Sequence, residues 1–100
     1  MTDRHQAGHQ VALQLRTSED ALDVALAETL RLAALMVDAR RAAGFGAALG
    51  QDALDEVLAG VAAINLARAD VVSAHARLAD LADAQGVLWK PQAATLRTAG

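Results

Sequence analysis

Apolar residues recur every three or four positions along two stretches of the chain, and this spacing predicts two long α-helices. When the first stretch is turned at 100° per residue, its apolar residues cover an arc of about 160°, wider than the stripe of an ordinary surface helix. The interface residues predicted on this arc are Leu22, Leu26, Leu30, Leu32, Met36 and Val37. An arc of this width favours contact with two neighbouring helices.

The first helix is predicted to span residues 18–43. Thr17 and Ser18 offer a hydroxyl cap, and Asp20 places an acid at the spacing of a capping box. At the other end, Arg41 suits the negative pole of the helix dipole, and Gly44 suits the left-handed residue that ends many helices.

Residues 1–17 are then an N-terminal tail or a short extension. Val11, Leu13 and Leu15 alternate with other residues, as in a strand, but Val11 and Leu15 also lie four apart, as on a helix. The pattern leaves a helical or irregular extension, a short strand and disorder open.

The second helix is predicted over residues 51–85, and its apolar residues follow a heptad more strictly, which indicates left-handed supercoiled packing. Gly86 is expected to end it, with Val87 folding back on Leu81 or Ala82. The interface residues predicted on this helix are Leu54, Val57, Leu58, Val61, Ile64, Arg68, Val71, Val72, His75 and Leu78.

Three glycines between residues 44 and 50 predict a tight turn, and so short a connection joins antiparallel neighbours. The expected fold class is therefore all-α, with one antiparallel helical hairpin over residues 18–86. Residues 87–100 follow as a C-terminal tail. Because two helices enclose no centre, we expect two hairpins to pair by a two-fold axis into a four-helix bundle.

The composition strengthens the case for a partner. Hydrophobic residues make up 54% of the 100 residues, but 26 of them are alanines. Burial stabilises in proportion to apolar area, at about 25 cal/mol per Å², and alanine buries little. A lone hairpin is thus predicted to be marginal, with no cysteine available to staple it.

Two polar residues, Arg68 and His75, interrupt the heptad of the second helix seven positions apart. They either lie at the edge of the bundle with their stems on apolar surface, or form a polar layer that sets register and oligomeric state. A hairpin centred near residue 47 places residue i opposite about 94 − i. Asp23 and Glu28 are then expected near Arg68, and Glu19 and Asp20 near His75.

Charge and cysteine content exclude several classes of protein. The net charge is −3, and residues 19–83 hold eleven acids against five arginines, which disfavours a nucleic-acid partner. No uncharged apolar run is long enough to span a membrane, and no secretory signal is visible, so a cytoplasmic protein is expected. The alanine- and arginine-rich, lysine-poor composition is typical of a high-GC bacterial genome.

Candidate chemistry is sparse. His5 and His9 have the spacing of two metal ligands on a helix, but Gly8 lies between them and only two ligands are evident. Ser73 and His75 lie two apart on one helix, so they point in different directions. We therefore expect no enzyme activity, no metal and no cofactor.

The function predicted is that of a non-enzymatic helical interaction protein, which self-associates and presents helix surface to a protein partner. The alternative is a small export or assembly chaperone, or a phasin-like surface-coating protein. Leu88 and Trp89 are either the cover of the bundle end or an anchor for that partner. Isolated apolar residues on polar helix sides are expected to be ordinary surface residues; they are Val24, Leu35, Leu66 and Leu81.

Overall fold

Two helices account for most of the chain. The computed structural model describes residues 2–89, and within that range it contains α1, Thr2–Ala42, and α2, Gln51–Ala84, with no strand. The all-α prediction is confirmed, and the two long helices fit a helical hairpin. The predicted bounds of α2 agree within one residue. The part of the predicted C-terminal tail after Trp89 lies outside the described residues.

The predicted start of the first helix near Ser18 is wrong, because α1 already begins at Thr2. The residues that resemble a cap satisfy themselves inside the helix instead. The Thr17 hydroxyl donates to the Leu13 carbonyl at 3.1 Å, and the Gln14 amide donates to the Ser18 hydroxyl at 3.5 Å. Such bonds to the preceding turn let Ser and Thr remain in a helix interior. Of the alternatives open for residues 1–17, the helical extension is the one observed.

Both helices end in the same hydrogen-bonded motif, as the glycines predicted. Gly44 and Gly86 have φ values of 72° and 69°, and each donates its N–H to a carbonyl three residues back. The residue after each glycine donates to a carbonyl five residues back, from Phe45 to Arg40 at 3.1 Å and from Val87 to Ala82 at 2.8 Å. This pair of bonds defines a Schellman cap. The expected return of Val87 towards Ala82 is confirmed.

Arg40 braces the turn between the helices. Its Nη1 donates to the carbonyls of Ala47 and Leu49, at 2.6 and 3.5 Å, and to Oε1 of Gln51 at 3.4 Å. From the sequence, Arg40 has only a favourable place near the negative end of a helix dipole. In the structure it also satisfies carbonyls that the irregular backbone of the turn leaves unpaired.

Contacts divide the chain into two units, each with one segment from each helix. The hairpin unit is Asp20–Ala69, and the terminal unit combines the described parts of Met1–Glu19 and Asp70–Gly100. The buried apolar residues are Ala33 and Leu54 in the hairpin unit and Ala82 in the terminal unit. No large side chain among the described residues is fully buried, because alanine-rich helices bring little apolar volume to their contacts.

Replacing Gly44 and Gly60 by alanine should have opposite effects on stability. A Cβ at either position would meet no atom within 4 Å, so only the backbone conformation differs. Gly44→Ala must hold a left-handed residue and should lower the free energy of unfolding by about 1–2 kcal/mol. Gly60→Ala should raise it by about 0.5–1 kcal/mol, because alanine suits a helix interior. Urea unfolding of both variants measures the difference, and a Gly44→Ala variant as stable as Gly60→Ala would show that the cap contributes nothing.

Candidate interaction surface

The predicted interface residues fall into two groups. Most are buried or half-buried within the chain itself, where the two helices pack on each other; the apolar members of this group are Leu22, Leu26, Met36, Val37, Leu54, Val57, Val61, Ile64, Val71 and Leu78. Four others remain exposed: Leu30 at 47%, Leu32 at 48%, Leu58 at 44% and Val72 at 42%. The heptad of α2 is therefore used largely inside the chain, and its flank is left to solvent.

Exposed apolar side chains occur in both units, in proportion to their size. Among the described residues, thirteen large apolar side chains are exposed, and eight of them belong to this unit. These are Val24, Leu30, Leu32, Leu35, Phe45, Leu49, Leu58 and Leu66. Single exposed apolar residues are ordinary, so what matters is which of these eight side chains lie on the same side of the helices.

Phe45 and Leu49 add an apolar rim to the turn that the sequence pattern did not single out. Both are more than half exposed, and they line an open groove of about 310 Å³ together with Met36, Leu54 and the stem of Arg40. The sequence did not indicate these contacts, because glycine spacing identifies a turn but not what the other residues of the turn contact.

Arg68 pairs with Asp23, one of the two acids expected near it. Its Nε donates to Oδ1 of Asp23, and its Nη2 donates to Oδ2 at 3.4 Å. The side chains are 39% and 50% exposed, so this pair lies at the edge of the hairpin unit and in contact with water. An exposed pair contributes about 0–1 kcal/mol.

His75 pairs with Glu19, as expected, in a more enclosed place within the terminal unit. The distance from Nδ1 to Oε2 is 3.0 Å, and both side chains are only about one-fifth exposed. Because an ionised carboxylate only accepts hydrogen bonds, Nδ1 carries the proton and donates it. A role of either pair in setting oligomeric state stays a prediction.

Leu88 and Trp89 belong to a C-terminal strap, defined here as Val87–Trp89, which crosses the terminal unit. The Leu88 N–H donates to Nδ1 of His5 at 3.0 Å. The Trp89 ring meets His75 edge-on, with centroids 6.0 Å apart. Trp89 is half-buried against its own chain, whereas the Leu88 side chain is 55% exposed.

Gly8 permits the strap to lie close to α1. A Cβ at this position would stand 2.7 Å from Cγ1 of Val87 and 2.9 Å from the Leu88 carbonyl oxygen. Arg4, one turn earlier, donates to the Gln85 carbonyl at 2.7 Å. In the sequence, Gly8 is notable only for lying between His5 and His9, and the contact that requires a glycine depends on the approach of the strap to α1.

Metal-ligating side chains do not gather anywhere in the described range. No group of three His, Asp or Glu side chains within residues 2–89 has the geometry to hold a metal ion. His5 already accepts a hydrogen bond from the strap, and His75 is engaged by Glu19.

α2 is long and apolar enough to cross a membrane by length and composition alone. Over the described residues it is the single helix to meet this criterion, with a mean hydropathy of 1.5 in an 18-residue window. Core helices of soluble proteins meet the same criterion, and one such helix is weak evidence. The expected absence of a membrane partner stays a prediction.

Comparison of the chain with family models, with curated proteins and with solved structures found no match. Function is therefore inferred from the residues of this chain alone.

Neutralising the two acids should separate the enclosed pair from the exposed one. Asp23→Asn should lower the free energy of unfolding by about 0.5 kcal/mol or less, because water screens the pair. Glu19→Gln should cost about 1 kcal/mol, because a charge-assisted hydrogen bond in a half-buried place is replaced by a neutral one. Urea unfolding at neutral pH and low salt measures both changes. Equal effects of the two variants would contradict this ranking.

Proposed function

We propose that this chain is a non-enzymatic helical interaction protein that binds a second copy of itself through one side of the hairpin unit and presents the other side to a protein partner. The observation that carries the proposal is the exposure of Leu30, Leu32 and Leu58, which flank the face that α1 and α2 use against each other. These leucines extend the interior apolar arc into solvent instead of being scattered over polar surface.

Helix geometry assigns the flanking leucines to two sides. Leu30 and Leu32 are two residues apart, so they are rotated by about 200° around α1 and lie on opposite sides of its packed face. Leu58 is rotated from the packed face of α2 in the same sense as Leu30 is rotated from the packed face of α1. In an antiparallel hairpin this places both leucines on the same side. One side of the hairpin unit therefore presents Leu30 and Leu58, and the other presents Leu32.

The side with Leu30 and Leu58 is the better candidate for a two-fold interface. It has an exposed leucine on each helix, so a second copy would cover both helices at once and complete a four-helix arrangement. Residues 20–69 carry seven acids and four arginines, so two copies repel each other weakly at low salt. Apolar contact, and not charge attraction, must then drive the pairing.

Placing a charged side chain in the proposed interface tests the self-association. Leu30→Lys and Leu58→Lys should each weaken the dimer about tenfold to a hundredfold, the equivalent of one leucine left unburied. Sedimentation equilibrium measures the dissociation constant. In the wild-type chain, the melting temperature should also rise with protein concentration.

Leu35→Lys and Leu66→Lys are matched controls, because both leucines are 64% exposed and lie on the outer sides of the helices. They should leave the dissociation constant unchanged. A monomeric wild-type chain whose melting temperature is independent of concentration would contradict self-association. Equal weakening by test and control variants would contradict the assignment of the interface.

Leu32→Lys separates the two parts of the proposal. It should leave the dimer intact and reduce the binding of a protein partner that co-purifies with the wild-type chain from its native host. Loss of the dimer in this variant would show that the dimer interface includes the side of Leu32, which would contradict the assignment.

The apolar character of α2 favours one second candidate, a protein that coats an apolar surface such as a lipid or polymer particle. Flotation with neutral lipid vesicles distinguishes it. The interaction protein should stay with the soluble fraction, whereas a coating protein should float with the vesicles and lose this behaviour in Leu58→Lys.

A further inference from the structure

The strap, Val87–Trp89, is held by contacts that the proposed function does not use. The Val87 N–H bonds to the Ala82 carbonyl, the Leu88 N–H bonds to His5, and the Trp89 ring rests against His75. Together with both helices, the strap lines an apolar groove of about 320 Å³ in the terminal unit. The helix residues in that lining include Val11, Leu78, Leu81 and Ala82.

The bond to His5 requires one protonation state of that residue. The Leu88 amide is a donor, so Nδ1 of His5 must present its lone pair, and the imidazole must be neutral. A protonated imidazole carries a hydrogen on both nitrogens, which would set two donors against each other. Histidine is the side chain that ordinarily changes charge between about pH 5 and pH 8.

The terminal unit also holds polar atoms without a partner, one of them, Trp89 Nε1, on the strap itself. His9 Nε2, His75 Nε2 and Trp89 Nε1 are buried without a hydrogen-bond partner in the described part of the chain. A buried unpaired nitrogen costs free energy that water would recover on opening. The closed and open arrangements are therefore closer in free energy than the number of contacts in the strap suggests, and the loss of one bond shifts their ratio.

We propose that the strap is an acid-released cover. At neutral or higher pH, His5 accepts the Leu88 N–H and the strap lies across the terminal unit. Protonation of His5 removes the acceptor, so that bond is lost, the strap opens, and Val87 and Trp89 leave the groove that they line. The net free energy of one hydrogen bond corresponds to a change of roughly threefold to tenfold in the ratio of closed to open strap.

The other charged and titratable groups of the packed segments do not produce the same response. Arg4 is held on the Gln85 carbonyl and keeps its charge, and Asp83 lies in the last turn of α2. His9 Nε2 has no hydrogen-bond partner among the described residues. Protonation of His75 would have the opposite effect on the strap, because a protonated imidazole would bind Glu19 more strongly and keep the ring beside Trp89.

Trp89 is the only tryptophan of the chain, so its fluorescence reports the strap directly. In the full-length wild-type chain, lowering the pH from 8 towards 5 should shift the emission maximum to longer wavelength and raise quenching by acrylamide. His5→Asn keeps an acceptor near the position of Nδ1 but cannot be protonated in this range. Its emission and quenching should stay at the closed values at every pH.

Two further variants separate the strap from its surroundings. His75→Asn removes the other histidine beside Trp89 and should retain the pH response, which excludes direct quenching by a protonated His75. Gly8→Ala should give the open signal at every pH, because its Cβ would clash with Val87 and the Leu88 backbone, whereas Gly60→Ala should behave as wild type.

A wild-type emission spectrum that does not change with pH, or a His5→Asn variant that keeps the wild-type response, would overturn the proposal. Circular dichroism of each variant at both pH limits verifies that the helices persist, so that unfolding is not mistaken for opening. Because sedimentation tests self-association separately at neutral pH, the cover and the proposed function stand or fall independently.

Discussion

The contact between the two helices encloses little apolar volume, and this shortage sets the limits for the rest of the structure. Alanine allows helices to approach closely but hides little apolar area from water, so stabilisation per residue of contact is low. Ala33, Leu54 and Ala82 are the buried apolar residues of the described range, and no large side chain there is fully enclosed. The leucines that widen the apolar arcs of both helices consequently remain in solvent.

Because little apolar volume is enclosed, the ends of the helices and the polar pairs between them contribute a larger share of the stability. The Schellman caps at Gly44 and Gly86 satisfy carbonyls that would otherwise be lost to solvent, and Arg40 does the same inside the turn. The pairs Arg68–Asp23 and His75–Glu19 each join α1 to α2 through a polar contact. Of the two, the enclosed pair should contribute more to the free energy of unfolding, because water screens it less.

The two units differ in what they expose. Over the described residues, the hairpin unit exposes Phe45 and Leu49 at the turn, and the buried polar atoms without a partner lie outside it. The terminal unit has three histidines and the only tryptophan, with three buried nitrogens that lack partners. The proposed association surface lies in the first unit and the proposed pH-sensitive cover in the second, in line with this difference in composition.

Local signals in the sequence were enough to predict the helical class, the turn, both glycine caps and the bounds of α2, because each depends on residues within one or two turns of each other. The antiparallel pairing also followed from the short turn, and it correctly brought Glu19 to His75 and Asp23 to Arg68. The start of α1 did not follow, because Thr17 and Ser18 suit a cap as well as an interior position, so the local pattern does not show that the helix already begins at Thr2. The roles of His5, Gly8 and Arg40 likewise depended on tertiary structure, since each acts on backbone that lies elsewhere in the chain or in an irregular turn, where no periodicity indicates a contact.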